Sequence, residues 1–559
     1  MCCNHAIPHR DDEQDERESP VSDVKTTAEL LAGSLHLAGI GHIFGYPGDP
    51  NLEFMEAARS QGTDFILTRR EGTAAFMADA YGQLTSLPGI CMSTLGPGST
   101  NLVNGVANAW LDRSPMIAIS GQMHSGKEAT FTHQNVDHDL IFSPISKWTA
   151  RIGAGSAASV IRKAFRTAVD ERPGPVHLTM TIDEGQAAAI DNDLSLPPLK
   201  PAAQALQVFA MDGIDPDPVR MLKSARRPVI VAGMAAARLG AAASLKALVE
   251  KAGIPVVVSP KGKGVLSEDH TMFAGTLDMA CNKYIWDFLA KADLVLCVGF
   301  DAVELIKPWS VPAPVIHIDA VANTDQIYPA AIELVGSVPA ILEAITDAYS
   351  GAAKWDEKTL SDHRDGLFQL YASGAVNGAL NPVDVVSATR EVMSKDTMIT
   401  MDVGSHKLLV GQGWTTYETG SVLLTNGLSS MGFSLPGAMT AKLLNPDRPV
   451  VCFTGDGGFA MVQSELGLAV ELGLGLIVIV FRDGKLNRIE LKQITKQYDA
   501  GSTTFDPGDL VKIAEGMGAD GVRVESRKQL SDALEAASGI TRPLLIEACI
   551  DPAQYLAQF

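Results

Sequence analysis

Short apolar runs alternate along this chain with longer stretches in which apolar residues recur at helical spacing. Runs at residues 41–44, 65–68, 89–94, 115–120 and 175–181 predict buried strands. The stretches after Lys25, after Asn51, over 73–81, up to Trp110 and after residue 157 predict helices between them. The rhythm returns with expected strands at 227–233, within 254–270, at 292–301 and at 314–320. It returns again with 398–407, a strand ending in Gly404-Ser405-His406, with 450–453 and 476–481, and with a proline-free helix over 461–472. Strands that alternate with helices in this way predict an α/β protein of doubly wound parallel sheets.

Length changes the picture from one domain to several. At 559 residues the chain exceeds one ordinary domain, and three fit. A Pro/Ala/Asp-rich stretch at 191–204 and a polar helical stretch at about 350–375 read as linkers. The expected division is an acidic disordered tail over 1–24, a first domain over 25–190, a central Rossmann-like domain over 205–350 and a third domain over 375–559. Hydrophobic residues make up 46% and charged residues 20%, as in a soluble protein with a large core.

A net charge of −20 argues against nucleic acid and anionic membrane surfaces as partners. No apolar run is long enough to span a bilayer; the longest, near 466–481, contains Glu471. The acidic N-terminus lacks the apolar segment of a signal peptide and the character of a mitochondrial presequence. Seven scattered cysteines, partly inside apolar strands, read as reduced core residues of a cytoplasmic protein; Cys2-Cys3 with His5 reads as tail rather than metal site.

The stretch richest in chemistry is RPVVCFTGDGGFAMVQSELGLAVELGLGLIVIVFRDGKLNRIE, residues 448–490. It reads as strand, helix, strand, with acidic residues at the carboxyl ends of both strands, where ligands of open parallel sheets sit. Gly455, Gly457 and Gly458 allow backbone amides close to a phosphate, and a helix start favours an anion. Asp456 and Asp483 are hard oxygen ligands, suited to a magnesium ion that keeps water and phosphate oxygens in its other positions. A carboxylate at Glu71, after the 65–68 strand and before a small-residue helix, is a second candidate; alone, it reads as an acid favoured by the helix dipole.

Twenty-four residues separate the Gly-Asp-Gly from Arg482-Asp483. This resembles the thiamine diphosphate motif, with Arg-Asp where the motif has Asn-Asn. GYPGDPNLEF, TRREGTAAFMADAYG, TLGPGSTNLVNGVANAWLDRSPMIAISGQ and NGLSSMGFSLPGAM occur in family order. From about residue 25 the chain resembles the acetolactate synthase, pyruvate oxidase and pyruvate decarboxylase group of thiamine diphosphate enzymes. Its HQNVD loop, FSPISKW and GFDAVELIKPW are similar to the catabolic, flavin-independent acetolactate synthases.

The resemblance implies a pyrimidine-binding first domain and a diphosphate-binding third domain. Glu71 would hydrogen-bond the aminopyrimidine ring, with Pro47 and Gly48 beside it. Asp456, Asp483 and the backbone carbonyl of Lys485 would hold magnesium, with Leu486 next to them. Gly404, Ser405 and His406 would meet the diphosphate. Met431 would bend the cofactor, and the carbonyl of Ser429 would accept from its amino group. The residues after Gly233 lack a dinucleotide glycine pattern, so FAD is not expected.

The implied activity decarboxylates a pyruvate-like 2-oxo acid and ligates the remaining fragment to a second carbonyl compound. Active sites would lie between subunits of a homodimer or homotetramer. Asp49 departs from this pattern: PGDPNL resembles PGDFNL of pyruvate decarboxylases, where that aspartate works with loop histidines. His133 and Gln134, in the HQNVD loop, are the candidate companions. A decarboxylase that releases an aldehyde is therefore the alternative, and a catalytically inactive regulatory homologue is a third.

Overall fold

A computed structural model describes residues 26–191, 195–197, 199 and 217–559. The expected tail, much of the 191–204 linker and the start of the central domain lie outside the described residues. Three six-stranded sheets, all parallel, follow one another along the chain.

The first sheet holds β1 (His42–Tyr46), β2 (Asp64–Leu67), β3 (Gly89–Ser93), β4 (Met116–Gln122), β5 (Trp148–Arg151) and β6 (Pro175–Thr181), in the order β2-β1-β3-β4-β6-β5. The second holds β7 (Pro228–Ala232), β8 (Val256–Val258), β9 (Phe273–Thr276), β10 (Leu294–Val298), β11 (Val315–Asp319) and β12 (Ala330–Val335), in the order β12-β11-β10-β7-β8-β9. The third holds β13 (Met398–Met401), β14 (Val422–Leu424), β15 (Val450–Gly455), β16 (Ile477–Arg482), β17 (Asp520–Val524) and β18 (Leu544–Cys549), in the order β14-β13-β15-β16-β18-β17.

The first and third sheets thus share one winding order, whereas the second has the 3-2-1-4-5-6 order of dinucleotide-binding sheets. Central strands β3, β4, β6, β7 and β10 are buried along their whole length, which is why they read as continuous apolar runs. The edge strand β12 buries Ile332 and Leu334 and exposes their neighbours in sequence, Ala331, Glu333 and Val335.

The helix expected over 73–81 begins earlier, at Glu71, and runs to Thr85. The helix expected over 461–472 is two helices, Asp456–Val462 and Glu465–Glu471, separated by Gln463-Ser464. Asp456 and the two glycines after it therefore form a first helical turn rather than a loop. The sequence pattern misses this because glycine is a poor interior helix former, while a first turn tolerates it. The polar stretch between the second and third sheets contains the helix Glu357–Tyr371.

The three sheets pack on one another. Phe76 meets Phe433 edge to face, with ring centres 5.9 Å apart, and Thr440 donates to the carbonyl of Met77 at 3.2 Å. The backbone N–H of Arg69 donates to both carboxylate oxygens of buried Glu465 at 3.1 Å, joining the loop after β2 to the third sheet's helices. Asp301 pairs with Arg113 at 3.2 Å and Arg172 at 3.0 Å, joining the second sheet to the first. Buried Lys263 and Glu268 pair at 2.7 Å, and Lys263 also donates to the carbonyl of Gly411, joining the second sheet to the third.

Candidate active site

The third sheet reverses its winding between β13 and β15, and ligands of open α/β sheets bind at such a point. A cavity of about 200 Å³ lies there. Residues at the starts of three helices line it: Ser405 and His406, Asp456 to Gly458, and Asn487 with Arg488. Helix starts present unpaired N–H groups and a partial positive charge, so the cavity suits an anion. A Cβ on Gly457 would stand 3.2 Å from Leu486 and 3.3 Å from the end of Met431, so any larger residue would press on both side chains.

Two carboxylates stand at its edge. Asp456 Oδ2 accepts the backbone N–H groups of Asp483 and Gly484, at 3.1 and 2.7 Å, and Oδ1 accepts that of Gly457 at 2.8 Å. Burial raises the pKa of Asp456. Burial and then the charge of Asp456 push Asp483 up to about 7. Two partly buried like charges with no cation between them are disfavoured, and a divalent ion would relieve both. Among the described residues no cluster offers three His, Cys, Asp or Glu side chains to a metal. A pair of carboxylates with a backbone carbonyl leaves room for water and phosphate oxygens, which fits magnesium.

His406 is buried between Phe481, stacked with ring centres 5.4 Å apart, and the backbones of Gly404 and Gly455. Burial pushes its pKa down to about 3, and its Nε2 has no hydrogen-bond partner. A neutral imidazole with an unpaired nitrogen beside a glycine cradle fits a polar ligand in the cavity. Gly404 precedes the helix Ser405–Gly413, so these residues form a helix start rather than the strand end expected.

The equivalent reversal in the first sheet lies between β1 and β3. Pro47, Gly48 and Asp49 leave β1 there, and a Cβ on Gly48 would stand 2.2 Å from the hydroxyl of Thr94, after β3. Glu71 is buried as the first residue of its helix, and Asn101 donates to its Oε2 at 3.0 Å. It lines a cavity of about 320 Å³ with Tyr46, Arg70, Asn101, Met461 and Glu465. Glu71 does not line the cavity that Asp456 lines; within one chain the helix Asp456–Val462 gives Asp456 to one cavity and Met461 to the other.

Asp49, His133 and Gln134 are exposed, and no hydrogen bond joins them among the described residues. The expected relay from His133 to Asp49 is therefore not assembled within one chain. Gln134 has φ 56°, and its backbone packs on Gly96, whose own φ of 60° and lack of a Cβ admit it. In the same loop Asp137 caps the helix His138–Phe142. His138 is a core residue, bonded to Ser99 at 3.0 Å and Thr179 at 3.3 Å.

Several site residues escaped the sequence. Both oxygens of buried Asp402 accept the N–H of Gly432 at 2.9 Å, and a Cβ on Gly458 would stand 2.4 Å from Oδ2. Asp402 thus ties the Met431 segment to the Gly-Asp-Gly turn; its signal was an acid directly after the apolar run 398–401. Asn487 receives the hydroxyl of Ser405 at 2.7 Å. Asn104 donates to Ser430 at 2.8 Å, linking the first domain to the segment that carries Ser429 and Met431.

The second sheet reverses between β7 and β10, but its crevice is filled from within. Buried Glu304 accepts the N–H groups of Met234 and Asp301 at 2.9 Å and the hydroxyl of Ser259. A Cβ on Gly233 would stand 2.3 Å from its Oε2.

Comparison with known proteins agrees with this arrangement. Three family models match in chain order: the thiamine pyrophosphate enzyme N-terminal TPP binding domain over residues 25–141, the central domain over 217–345 and the C-terminal TPP binding domain over 402–548. An acetolactate synthase of Bacillus subtilis is 30% identical, over 94% of this chain and 93% of its own length. A catabolic acetolactate synthase of Raoultella terrigena is 29% identical, over 94% and 95%. A probable acetolactate synthase large subunit of Methanococcus aeolicus is 30% identical, over 95% and 93%. The chain belongs to the thiamine pyrophosphate enzymes, and is similar over nearly its whole length to their acetolactate synthases.

Proposed function

We propose that this protein is a magnesium-dependent thiamine diphosphate enzyme that decarboxylates a pyruvate-like 2-oxo acid and ligates the remaining fragment to a second carbonyl compound. The observation that carries the reading is the convergence of Gly404–His406, Asp456–Gly458 and Asp483–Lys485 on one anion-suited cavity at a sheet's reversal point. When bound, thiamine diphosphate supplies an acidic ring carbon and an electron sink for the loss of carbon dioxide.

The chain's own residues bind and orient. The helix starts and Ser405 take the diphosphate, while Asp456, Asp483 and the carbonyl of Lys485 hold magnesium. Met431 would pack against the bound cofactor, and the carbonyl of Ser429 would accept from its amino group. Glu71 exchanges a proton with the pyrimidine ring, and Asn101 fixes the carboxylate for that task. Because Glu71 and Asp456 line separate cavities of one chain, the working unit is a homodimer, or a homotetramer built from it, in which Glu71 of one copy serves the other's cofactor.

The central domain is proposed to hold no flavin, because the carboxylate of Glu304 already occupies the helix-start position that a dinucleotide phosphate would need. No described helix is long and apolar enough to cross a membrane. The cysteines among the described residues are unpaired, which fits a cytoplasmic location.

A second reading, aldehyde release, is favoured by Asp49 alone, an exposed carboxyl at the turn after β1. The deciding experiment incubates the protein with pyruvate, thiamine diphosphate and magnesium and identifies products by NMR. Acetolactate as the main product supports ligation; acetaldehyde establishes the second reading; no carbon dioxide release overturns both.

A further inference from the structure

A further cavity, of about 670 Å³, borders the second sheet and shares no residue with the cavities of Asp456 and Glu71. It lies at the amino ends of the paired strands β7 and β10. Arg226 and Arg227 directly precede β7, and Lys291 comes shortly before β10. Trp355 and the first turns of the helix Glu357–Tyr371 form its other side. This is the opposite end of the sheet from the crevice that Glu304 fills.

The aromatic wall is fixed in place. Trp355 Nε1 donates to the carbonyl of Pro228 at 2.8 Å, and its ring centre lies 5.3 Å from that of Phe288. Tyr284 stacks on His363 with ring centres 5.0 Å apart, and its hydroxyl donates to the carbonyl of His363 at 3.1 Å. Trp355 and Tyr284 stay half-buried on the lining. The cations are held differently. Asp293 accepts the backbone N–H groups of Arg226 and Arg227, at 2.7 and 2.8 Å, which sets the turn and leaves both guanidinium groups out of it. Among the described residues the side chains of Arg226, Arg227 and Lys291 make no hydrogen bond or ion pair. Two acids on the lining are engaged elsewhere: Asp287 pairs with Lys283, and Asp356 caps its helix by accepting from Thr359. Asp362 is the acid left over. In a chain of net charge −20, three unpaired cations around one cavity run against the composition.

We propose that this cavity binds a nucleoside phosphate. Arg226, Arg227 and Lys291 take the phosphates, since a guanidinium fork matches phosphate oxygens. Trp355 and Tyr284 take the base, because a planar ring stacks on an aromatic face. Asp362, a pure acceptor, takes the hydroxyls of the sugar. A volume of about 300–1,000 Å³ is usual for such ligands. A bare inorganic anion would leave the aromatic wall and Asp362 without a role.

The test is calorimetric titration of the protein saturated with thiamine diphosphate and excess magnesium, so that the cofactor cavity is filled. ADP and pyrophosphate are the probes. ADP should bind at one site per chain, more tightly than pyrophosphate and less tightly as salt rises. Arg226→Gln/Arg227→Gln should weaken both probes about 10- to 100-fold, as for lost charged hydrogen bonds. Lys291→Gln, on a separate turn, should act in the same direction. These variants should melt and turn over close to wild type, because their side chains make no other polar contact. Trp355→Leu should weaken ADP about 10-fold and leave pyrophosphate unchanged, and ADP should no longer quench indole fluorescence in it. Asp362→Ala should weaken ADP without weakening pyrophosphate. Wild type that does not bind ADP would overturn the proposal. ADP binding no tighter than that of pyrophosphate would do the same, since it would mean an anion site without a place for a base. So would ADP binding that Arg226→Gln/Arg227→Gln and Lys291→Gln leave unchanged, which would put the nucleotide elsewhere on the protein.

Discussion

Asp456 accepts the backbone N–H of Gly484 at 2.7 Å, so the turn after β15 holds the turn after β16 in place. One carboxylate thus shapes the loop that brings Asp483 and Lys485 to the same cavity, besides its proposed contact with magnesium. Asp456→Asn preserves size and one carbonyl oxygen but removes the charge. Its amide nitrogen meets a backbone N–H, so without ligands the variant should melt somewhat below wild type, and it should lose the rise in melting temperature that thiamine diphosphate and magnesium give. An undiminished rise contradicts the metal assignment, because a ligand stabilises only by binding the folded state.

Glu71→Gln keeps an acceptor for Asn101 but cannot exchange the proton assigned to it. Turnover should fall about 10²- to 10⁴-fold, the usual worth of acid–base help, with cofactor binding retained. Proton exchange at the cofactor's acidic ring carbon, followed by NMR, checks this directly: a wild-type rate in the variant would remove Glu71 from the chemistry.

Glu304 links pH to stability. Burial pushes its pKa up to about 8, from 4.5 in an unfolded chain. The folded protein therefore holds this proton more tightly than the unfolded one. The associated stability is complete below about pH 4.5 and is lost as pH rises to about 8. Urea unfolding midpoints should decline across that window, and the decline should be shallower in Glu304→Gln, whose overall stability is lower because its amide nitrogen meets an N–H. A slope equal to wild type would mean that Glu304 titrates normally.

Flavin content tests the same residue by another route. With Glu304 in the crevice, the purified protein should be colourless and release no FAD on denaturation. Stoichiometric FAD in the supernatant would show that Glu304 moves aside and that the crevice is a working site.

Asp49 stands where the two readings of the reaction part. Asp49→Gly should remain a ligase with acetolactate as main product. A wild type that releases mainly acetaldehyde, and turns to ligation once Asp49 is removed, would make Asp49 the proton donor that ends the reaction early.

The parallel sheets were legible because strands buried on both faces, such as β10 and β15, leave unbroken apolar runs. The candidate ligands were legible where glycines and acids crowd a strand end, as in the Gly-Asp-Gly turn. The first residues of the helices were not, since Glu71 and Asp456 begin theirs ahead of any apolar period. Contacts between distant segments were invisible for a different reason. Asp402 with Gly432, and Glu304 with Gly233, are set by the close approach of two loops, and nothing local to either one announces the other. Asp49 and His133 illustrate the converse: a pairing suggested by motif that one chain does not assemble.

The bond between the Arg69 amide and Glu465 has a mechanical consequence. Glu71 follows Arg69 by two residues, and Glu465 begins the helix next to the one that starts at Asp456. Within one chain, Glu71 and the helices that start at Asp456 and Glu465 are therefore tied to one frame. In hydrogen exchange the Arg69 amide should keep pace with the slowest core strands, although it lies in a turn.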